Sequence, residues 1–489
     1  MTSADHNLVS HVLCGGAETP DKIALAVLGP ARAERWSYAR IEAAVRGIAR
    51  GLRARGIAPG DRVLMRLGNE AAFPLAFLGA AAAGAVAIAT SARLTAPEIT
   101  SVARRLGPSL VLAAPGVALP DHPAPVAPVE ALKDWAEGPA ADIAPVTPDT
   151  PAYIVMTSGT GGTPRAVIHA HRAVPARAVM RDGWTDLRPD DRLMHAGAMN
   201  WTYTLGTGLL DPWSVGATAL VPAEGTDAAL LPLLAKRHDA TILAAVPGVF
   251  RKLLKGPLPP LPRLRHALSA GEKLPETLRA AWREATGTEI HEAFGQSECS
   301  TFLSGSPARP APPGTLGFPQ PGRRIALIAG GAEAEEGEIA IHADDPGLAL
   351  GYDDGPLRRA GDWVLTGDAG RRTPEGAIAY LGRTDDLITA GGYRISPLEI
   401  EAAFCALPGV EEAAAVTLRP APETTIIGAF VTGPAPLDLA LLKAQAGEVL
   451  ADWKLPHHIE QVDRLPRGAN DKLLRQRIAQ DWNARHGHA

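Results

Sequence analysis

The stretch that decides the fold reads Tyr153-Ile-Val-Met156, Thr157-Ser-Gly-Thr-Gly-Gly-Thr-Pro-Arg165, Ala166-Val-Ile168. The apolar segments at its two ends predict two buried strands. The loop between them combines exposed backbone N–H groups, hydroxyls and one cation, which together suit a polyphosphate. These phosphate-binding candidates are Thr157, Ser158, Gly159, Thr160, Gly161, Gly162, Thr163 and Arg165.

Two familiar phosphate loops do not match this stretch. The third glycine of a dinucleotide-binding loop would fall at Pro164, and no Gly-Lys-Ser or Gly-Lys-Thr follows. A glycine- and threonine-rich turn that binds nothing is therefore the alternative for the segment taken alone.

Around this unit, apolar runs rich in β-branched residues alternate with helical patterns, which predicts a large α/β body with buried sheets. The uncharged segment from Ala71 to Ser91 is mostly Ala and Gly, and it predicts a buried helix and strand rather than a membrane span. Ten prolines between Pro108 and Pro151 predict a mostly extended crossing inside the body. The other predicted strands are Ala217 to Val221, Thr241 to Val246, His266 to Ser269 and Glu289 to Ala293.

The pattern changes after residue 384. Ser396-Pro-Leu-Glu399 predicts a capping box that begins a helix, and Pro408-Gly409 ends it. Two strands, a helix and a last helix from about Lys472 complete a small α+β unit. The predicted domains are therefore a large body at 1–384 and a small C-terminal lid at 385–489.

Composition excludes several classes of protein. The 489 residues carry a net charge of −5 without a basic block, so neither nucleic acid nor a membrane surface is expected as a partner. Cys14, Cys299 and Cys405 are odd in number and widely spaced, which excludes a disulfide framework and favours a reducing compartment. The N-terminus lacks the pattern of a signal peptide. We expect a cytoplasmic protein.

Four later motifs accompany the loop. They are Phe294-Gly-Gln-Ser-Glu298, Trp363-Val-Leu-Thr-Gly-Asp368, Gly382-Arg-Thr-Asp-Asp386 continued by Gly391 to Glu401, and Leu465 to Lys472. In this order and spacing they resemble the AMP-forming adenylating superfamily, which includes acyl- and aryl-CoA synthetases, peptide-synthetase adenylation domains and luciferases. The loop itself resembles TSGTTGxPKGV, with departures at Gly161, Arg165 and Ala166.

The resemblance implies that the body at 1–384 binds ATP and the acyl group, and that the lid at 385–489 is mobile and carries the catalytic lysine. It also implies roles for individual residues. Ser297 would meet the α-phosphate, Glu298 would bind Mg²⁺, and Lys472 would be the catalytic lysine. Asp368 and Arg383 would hold the ribose, and Gly271 and Glu272 would also border the nucleotide. Asp385 would be the hinge about which the lid turns, exchanging the lysine loop for Gly391 and Gly392 on the CoA side. The implied substrates and cofactors are ATP, Mg²⁺, coenzyme A and a small carboxylic acid.

The acid is expected to be aromatic or short to medium in chain length. In amino-acid-activating relatives an aspartate in the segment matching Asn200-Trp201 pairs with the ammonium group, and here no carboxylate lies between Met199 and Tyr203. An unpaired buried ammonium would be costly. Asn200 to Gly208 resembles the FFAYGLGNG-like stretch of benzoate-type CoA ligases. The predicted acyl pocket contains Trp201, Tyr203, Val246, Ala270, Ala293, Phe294 and Gly295.

The sequence therefore predicts an AMP-forming carboxylic acid:CoA ligase of the benzoate type. One alternative is an adenylating enzyme that loads a carrier protein, since only the accepting thiol differs. A second is a non-catalytic sensor of acyl nucleotides, against which Lys472 and Glu298 argue. Whether the chain forms a homodimer is left open by the sequence.

Overall fold

The computed structural model describes residues 6–157, 164–390, 393–421, 424–467 and 473–486. Its contacts divide the chain into two compact units. The first contains Met1–Arg324 and His342–Arg358, and the second contains Ile325–Ile341 and Arg359–Ala489. The predicted α/β class is confirmed, and the boundary after residue 384 stays a prediction.

The first unit contains two large sheets. In sheet order, the described strands of the first are Phe318–Pro319, Ser300–Ser304, Ile290–Gln296, His266–Ala270, Ile242–Ala245, Arg192–His195, Thr218–Pro222, Ile23–Leu28 and Ala33–Ser37. Those of the second are Gly351–Tyr352, Arg165–Ala170, Pro151–Thr157, Val86–Ala89, Arg62–Arg66, Leu110–Ala113 and Val126–Pro128. Most neighbours are parallel, and buried aliphatic side chains cover both faces, as the apolar runs predict.

Helices cover these sheets. In the described part of the first unit they are Leu8–Leu13, Tyr38–Ala54, Ala72–Ala83, Ala96–Leu106, Val129–Ala136, Asp211–Ser214, Leu231–Arg237, Pro247–Leu253 and Glu276–Thr286. Ala72–Ala83 is buried along its length, and the Val86–Ala89 strand follows it, which confirms the prediction for this uncharged segment. None of the helices that the structure describes could cross a bilayer.

The proline-rich crossing is only partly as predicted. Between Pro108 and Pro151 the chain adds the strands Leu110–Ala113 and Val126–Pro128 to the edge of the second sheet, and then forms the helix Val129–Ala136. Val129 and Leu132 bury one face of that helix. The prolines flank these elements instead of interrupting them, so the prediction of a mostly extended connection was wrong for this helix.

The second unit is built around smaller sheets. Its described strands are Ala332–Glu333, Ile325–Ala329, Glu336–His342, Trp363–Arg372, Arg359–Ala360 and Ile378–Arg383, then the hairpin Ile388–Ala390 and Tyr393–Ile395, then Glu412–Ala421, Thr424–Thr432 and His458–Gln461. Its described helices are Pro397–Cys405, Leu439–Ala446 and Arg475–His486. The predicted α+β character of the C-terminal region is confirmed.

The helix Pro397–Cys405 begins where predicted, but without the predicted capping box. Ser396 makes no side-chain cap, because its hydroxyl donates to the carbonyl oxygen of Leu381 at 2.6 Å. Glu399 instead pairs with Lys454 at 2.5 Å. The motif residues thus tie the helix to neighbouring segments of the same unit.

Candidate active site

The carboxyl ends of the parallel strands in the first large sheet meet at one edge, which is where open α/β sheets bind ligands. The Ile290–Gln296 strand ends there and runs through a turn into Ser300–Ser304. The motif residues Ser297 and Glu298 occupy this turn. A Cβ at Gly295 would collide with the backbone of Ser300, so glycine is required for the tight pairing that aims the turn.

A buried histidine holds the turn. The Nε2 atom of His169 lies 2.7 Å from the carbonyl oxygen of Ser297, and its ring stacks on Tyr153 at 4.7 Å between centroids. Burial lowers the pKa of His169 to about 4, so the imidazole is neutral at pH 7 and donates through Nε2–H. His169 thus links the strand after the phosphate loop to Ser297, the residue before the predicted Mg²⁺ ligand. None of the motifs quoted in the sequence analysis contains His169.

The carboxylate of Glu298 accepts a hydrogen bond from the hydroxyl of Tyr352 at 2.8 Å. Burial raises the pKa of the Tyr352 phenol, so it stays protonated and donates. Among the described residues no cation forms an ion pair with Glu298. Mg²⁺ is usually bound by one or two carboxylates together with substrate phosphates, and a partly exposed carboxylate held in this way fits that use.

Arg165, at one described end of the phosphate loop, contacts Tyr352 as well. Thr157 ends one strand, and Arg165 begins the next. The guanidinium of Arg165 lies 3.4 Å from the ring centroid of Tyr352 and donates to Asp354 at 2.7 Å. Ser158, Gly159, Thr160, Gly161, Gly162 and Thr163 lie outside the described residues.

The predicted acyl pocket has an aromatic wall. Trp201 and Tyr203 meet edge to face at 5.4 Å, and a Cβ at Gly271 would lie 2.8 Å from Cη2 of Trp201. Gly271 has a φ of +96°, a conformation that favours glycine. Ala270 and Ala293 pair across adjacent strands and are buried in the same cluster as Tyr203.

The remaining members border this cluster. Val246 is partly buried and caps the Pro247–Leu253 helix, and Phe294 packs edge to face on Phe302 at 5.4 Å. Glu272 follows Gly271 and is partly buried. Cys299 is fully buried, and burial raises the pKa of its thiol to about 12, which is typical of a small buried core residue and not of a nucleophile.

The second unit holds the other predicted nucleotide ligands. Asp368 is buried and accepts from the Tyr380 hydroxyl at 2.8 Å and from Nη1 of Arg383 at 3.0 Å. A Cβ on Gly367, whose φ is +78°, would press into the Arg383 guanidinium. The Thr-Gly-Asp motif thus uses glycine to let Arg383 reach Asp368. Tyr380 carried no signal in the sequence.

Asp385 is exposed in the turn between the Ile378–Arg383 and Ile388–Ala390 strands. Few contacts restrain an exposed turn residue, which suits the predicted hinge. Gly391, Gly392 and Lys472 lie outside the described residues. Within the described ranges no group of three or more His, Cys, Asp or Glu side chains is arranged to hold a metal.

Comparison with known proteins decides the family. The AMP-binding enzyme model matches residues 15–353, and the AMP-binding enzyme C-terminal domain model matches residues 399–472. The chain belongs to the AMP-binding enzyme family. The predicted AMP-forming acyl- or aryl-CoA synthetase class, an acid–thiol ligase that uses ATP and CoA, is confirmed at this level.

Individual relatives agree with this assignment. The chain is 30% identical to 3-hydroxybenzoate–CoA ligase of Aromatoleum sp. (strain CIB), over 98% of this chain and 96% of that protein. It is 32% identical to benzoate–CoA ligase of Thauera aromatica, over 86% of each chain. The crystal structure of a benzoate CoA ligase from Burkholderia xenovorans LB400 superposes with a TM-score of 0.84 at 27% identity, covering 97% of this chain and 99% of that chain.

Proposed function

We propose that this AMP-binding enzyme activates an aromatic or compact aliphatic monocarboxylate as its acyl adenylate and then transfers the acyl group to CoA. The carrying observation is the apolar acyl wall formed by Trp201, Tyr203, Ala270 and Ala293 at the strand ends that lead to Ser297 and Glu298. The flat faces of the aromatic side chains suit a ring, which gains about 25 cal/mol per Å² of buried apolar area. Relatives named for benzoate and hydroxybenzoate support this choice.

The first half-reaction joins two anions. A carboxylate oxygen of the acid attacks the α-phosphorus of ATP, the bond to the β-phosphate oxygen breaks, and pyrophosphate leaves. Cations and oriented N–H dipoles must offset the charge that builds there. We assign Lys472 to the α-phosphorus and the carboxylate oxygen, the Ser297 hydroxyl to the α-phosphate, and Asp368 with Arg383 to the ribose.

Mg²⁺ bound by Glu298 and the phosphates would neutralise phosphate charge. Tyr352 orients the Glu298 carboxylate toward that task, and His169 fixes the backbone of the preceding residue. In the second half-reaction the CoA sulfur attacks the acyl carbonyl and AMP leaves, so no protein nucleophile is needed. We assign the CoA side to Gly391 and Gly392, brought in by rotation about Asp385.

A free amino acid is a poor substrate for this pocket, because the 199–203 segment offers no carboxylate to its ammonium group. Long fatty acids need an open tunnel, which the aromatic wall opposes. We further propose a cytoplasmic enzyme that acts without a membrane or nucleic acid, in keeping with the net charge of −5. Sedimentation of the same preparation would distinguish a monomer from a homodimer.

The test is acid-dependent pyrophosphate release, measured with ATP and Mg²⁺ over a panel of benzoates, short and medium-chain acids, palmitate and amino acids, with and without CoA. We expect release with benzoate-like or short acids and a CoA thioester when CoA is present. Lys472→Ala is the matched negative control, since it should abolish adenylation but spare thioester formation from supplied acyl adenylate.

Three outcomes would contradict the proposal. Preference for palmitate or for an amino acid would overturn the assignment of the pocket. Pyrophosphate release without a CoA thioester would favour loading of a carrier protein. Binding of acyl adenylate with no release from any acid would favour the non-catalytic sensor.

A further inference from the structure

Beside the proposed acyl pocket, two polar side chains each have one nitrogen or oxygen atom without a hydrogen-bond partner. His195 is 1% exposed, and its Nε2 atom is unpartnered among the described residues. Thr204 is fully buried, and its hydroxyl is likewise unpartnered within the described part of the chain. Buried polar groups in folded proteins are nearly always satisfied, so this pair requires an explanation.

The hydrogen bond at Nδ1 of His195 decides which ring nitrogen carries the proton. The backbone N–H of Gly197 donates to Nδ1 of His195 at 3.1 Å, which places the ring proton on Nε2. Burial lowers the pKa of His195 to about 3, so the imidazole is neutral at physiological pH. The unpartnered group is therefore an N–H donor without net charge.

His195 belongs to the same wall as the aromatic residues of the pocket. It is the last residue of the Arg192–His195 strand, at the carboxyl edge of the sheet, and it pairs with Ala244. Its ring meets Tyr203 edge to face at 4.2 Å. The Tyr203 hydroxyl has already used its one donor, since it donates to the carbonyl oxygen of Leu268 at 3.1 Å.

Thr204 packs against the same glycine, Gly197, as His195. A Cβ on Gly197 would collide with the hydroxyl oxygen of Thr204 and would lie 3.0 Å from Cε1 of His195. The side chains of His195 and Thr204 therefore both pack against Gly197. Thr204 also begins a π-helical segment, Thr204–Leu210, and such segments occur often at functional sites.

An imidazole N–H donor and a hydroxyl on two neighbouring residues match one kind of ligand group. A phenolic hydroxyl can accept from the imidazole N–H and also exchange a hydrogen bond with the threonine hydroxyl. A second carboxylate would bring a charge that no cation of the pair offsets. We propose that His195 and Thr204 form a specificity-determining pair that recognises a ring hydroxyl, so that the preferred substrate is a hydroxylated aromatic monocarboxylate.

This inference rests on the proposed function, because it assigns the acid used at that site. A pocket built to bond a substrate hydroxyl rejects the analogue that lacks it, since its own polar groups are then left unpaired. We expect kcat/KM for 3- or 4-hydroxybenzoate to exceed that for benzoate by about 10- to 100-fold, the range that corresponds to leaving a buried polar group unpaired.

The experiment measures this ratio by pyrophosphate release in the wild-type chain and in variants. His195→Leu should bring the ratio close to one, Thr204→Val should lower it by a smaller factor, and His195→Gln should retain part of it through its amide N–H. Ser269→Ala is the matched control. It also removes a buried unpartnered hydroxyl, but from the face opposite to that of Leu268 and Ala270, so the ratio should not change.

Two results would overturn the pairing. A wild-type ratio near one would mean that a buried water satisfies His195 and Thr204. An equal loss for all three acids in His195→Leu, with no recovery in His195→Gln, would mean that His195 has only a structural role.

Calorimetric titration of the acids without ATP separates this inference from the proposed function. Binding of hydroxybenzoate that is lost in His195→Leu, without pyrophosphate release from any acid, would support the pair and contradict the ligase. Release that is equally fast with benzoate and hydroxybenzoates would support the ligase and contradict the pair. Absence of both binding and release would contradict both.

Discussion

The two units each hold a carboxylate through a tyrosine, but in different electrostatic settings. Glu298 in the first unit accepts from Tyr352, and Asp368 in the second accepts from Tyr380, both at 2.8 Å. Asp368 is also paired with Arg383 at 3.0 Å, whereas Glu298 has no ion pair among the described residues. The same hydrogen bond therefore serves two kinds of recognition.

The difference follows from charge and burial. Asp368 has a side chain only 5% exposed, and its negative charge is offset within its own unit, so it is suited to accepting hydrogen bonds from neutral hydroxyls. Glu298 is oriented by a neutral phenol and keeps its net charge. It is therefore the carboxylate suited to a metal cation.

The largest effect is expected at Glu298. Glu298→Gln keeps the shape but removes the charge, and we expect pyrophosphate release to fall by roughly 10²- to 10⁴-fold with a lost response to Mg²⁺. Stopped-time assays of pyrophosphate release over a series of Mg²⁺ concentrations measure both effects. Glu333→Gln, at an exposed carboxylate of the second unit, is the control. A normal Mg²⁺ response in Glu298→Gln would remove the distinction between the two carboxylates.

Asp368→Asn should have a smaller effect of a different kind. Hydrogen bonds to a charged group contribute about 1.5 to 3 kcal/mol, so KM for ATP should rise by roughly 10- to 100-fold, with kcat less affected. The Mg²⁺ response should stay normal. A loss confined to kcat would place Asp368 with Glu298 in metal binding and reverse the comparison.

The two tyrosines sharpen the comparison. Tyr352→Phe and Tyr380→Phe each delete one hydrogen bond to a charged carboxylate but keep the carboxylate itself, so we expect a loss at the lower end of the range of about 1.5 to 3 kcal/mol, or roughly 10-fold in kcat/KM. Tyr352→Phe should raise the Mg²⁺ concentration for half-maximal rate, and Tyr380→Phe should raise KM for ATP. The opposite assignment of the two effects would show that neither tyrosine orients the carboxylate that it contacts.

The smallest effect is expected for Arg165→Lys. The charge is kept, while the stacking on Tyr352 and the two-atom contact with Asp354 are weakened. An exposed cation–π contact contributes about 0.5 to 1 kcal/mol, so activity should fall by less than about fivefold. Initial rates of pyrophosphate release at saturating ATP measure this loss of activity. A loss of a hundredfold would mean that the planar guanidinium binds phosphate directly.

Several local predictions were confirmed because short-range patterns decide them. The predicted run Tyr153 to Met156 lies within the Pro151–Thr157 strand, and the run His266 to Ser269 lies within His266–Ala270. β-Branched and apolar residues at these positions bury on both faces of a sheet, so their local pattern is enough. The family also followed from motifs whose order and spacing are properties of the chain alone.

Other predictions failed where partners distant in the chain compete. Ser396 and Glu399 have the residue types of a capping box, yet they bond Leu381 and Lys454 instead. The helix Val129–Ala136 forms in a proline-rich segment because Val129 and Leu132 are buried against the core of the first unit. Tertiary contacts outweigh local preference in both cases.

The sequence by itself determined the family, several of the buried strands, and the roles expected at Glu298, Asp368 and Lys472. Only the tertiary structure decided which side chains support them. Tyr352 lies 54 positions from Glu298, and His169 lies 128 positions from Ser297. No periodicity or spacing links residues so far apart, because the contacts arise from strands that become neighbours only when the sheets assemble. The unpartnered donor of His195 is likewise visible only after the fold has buried it.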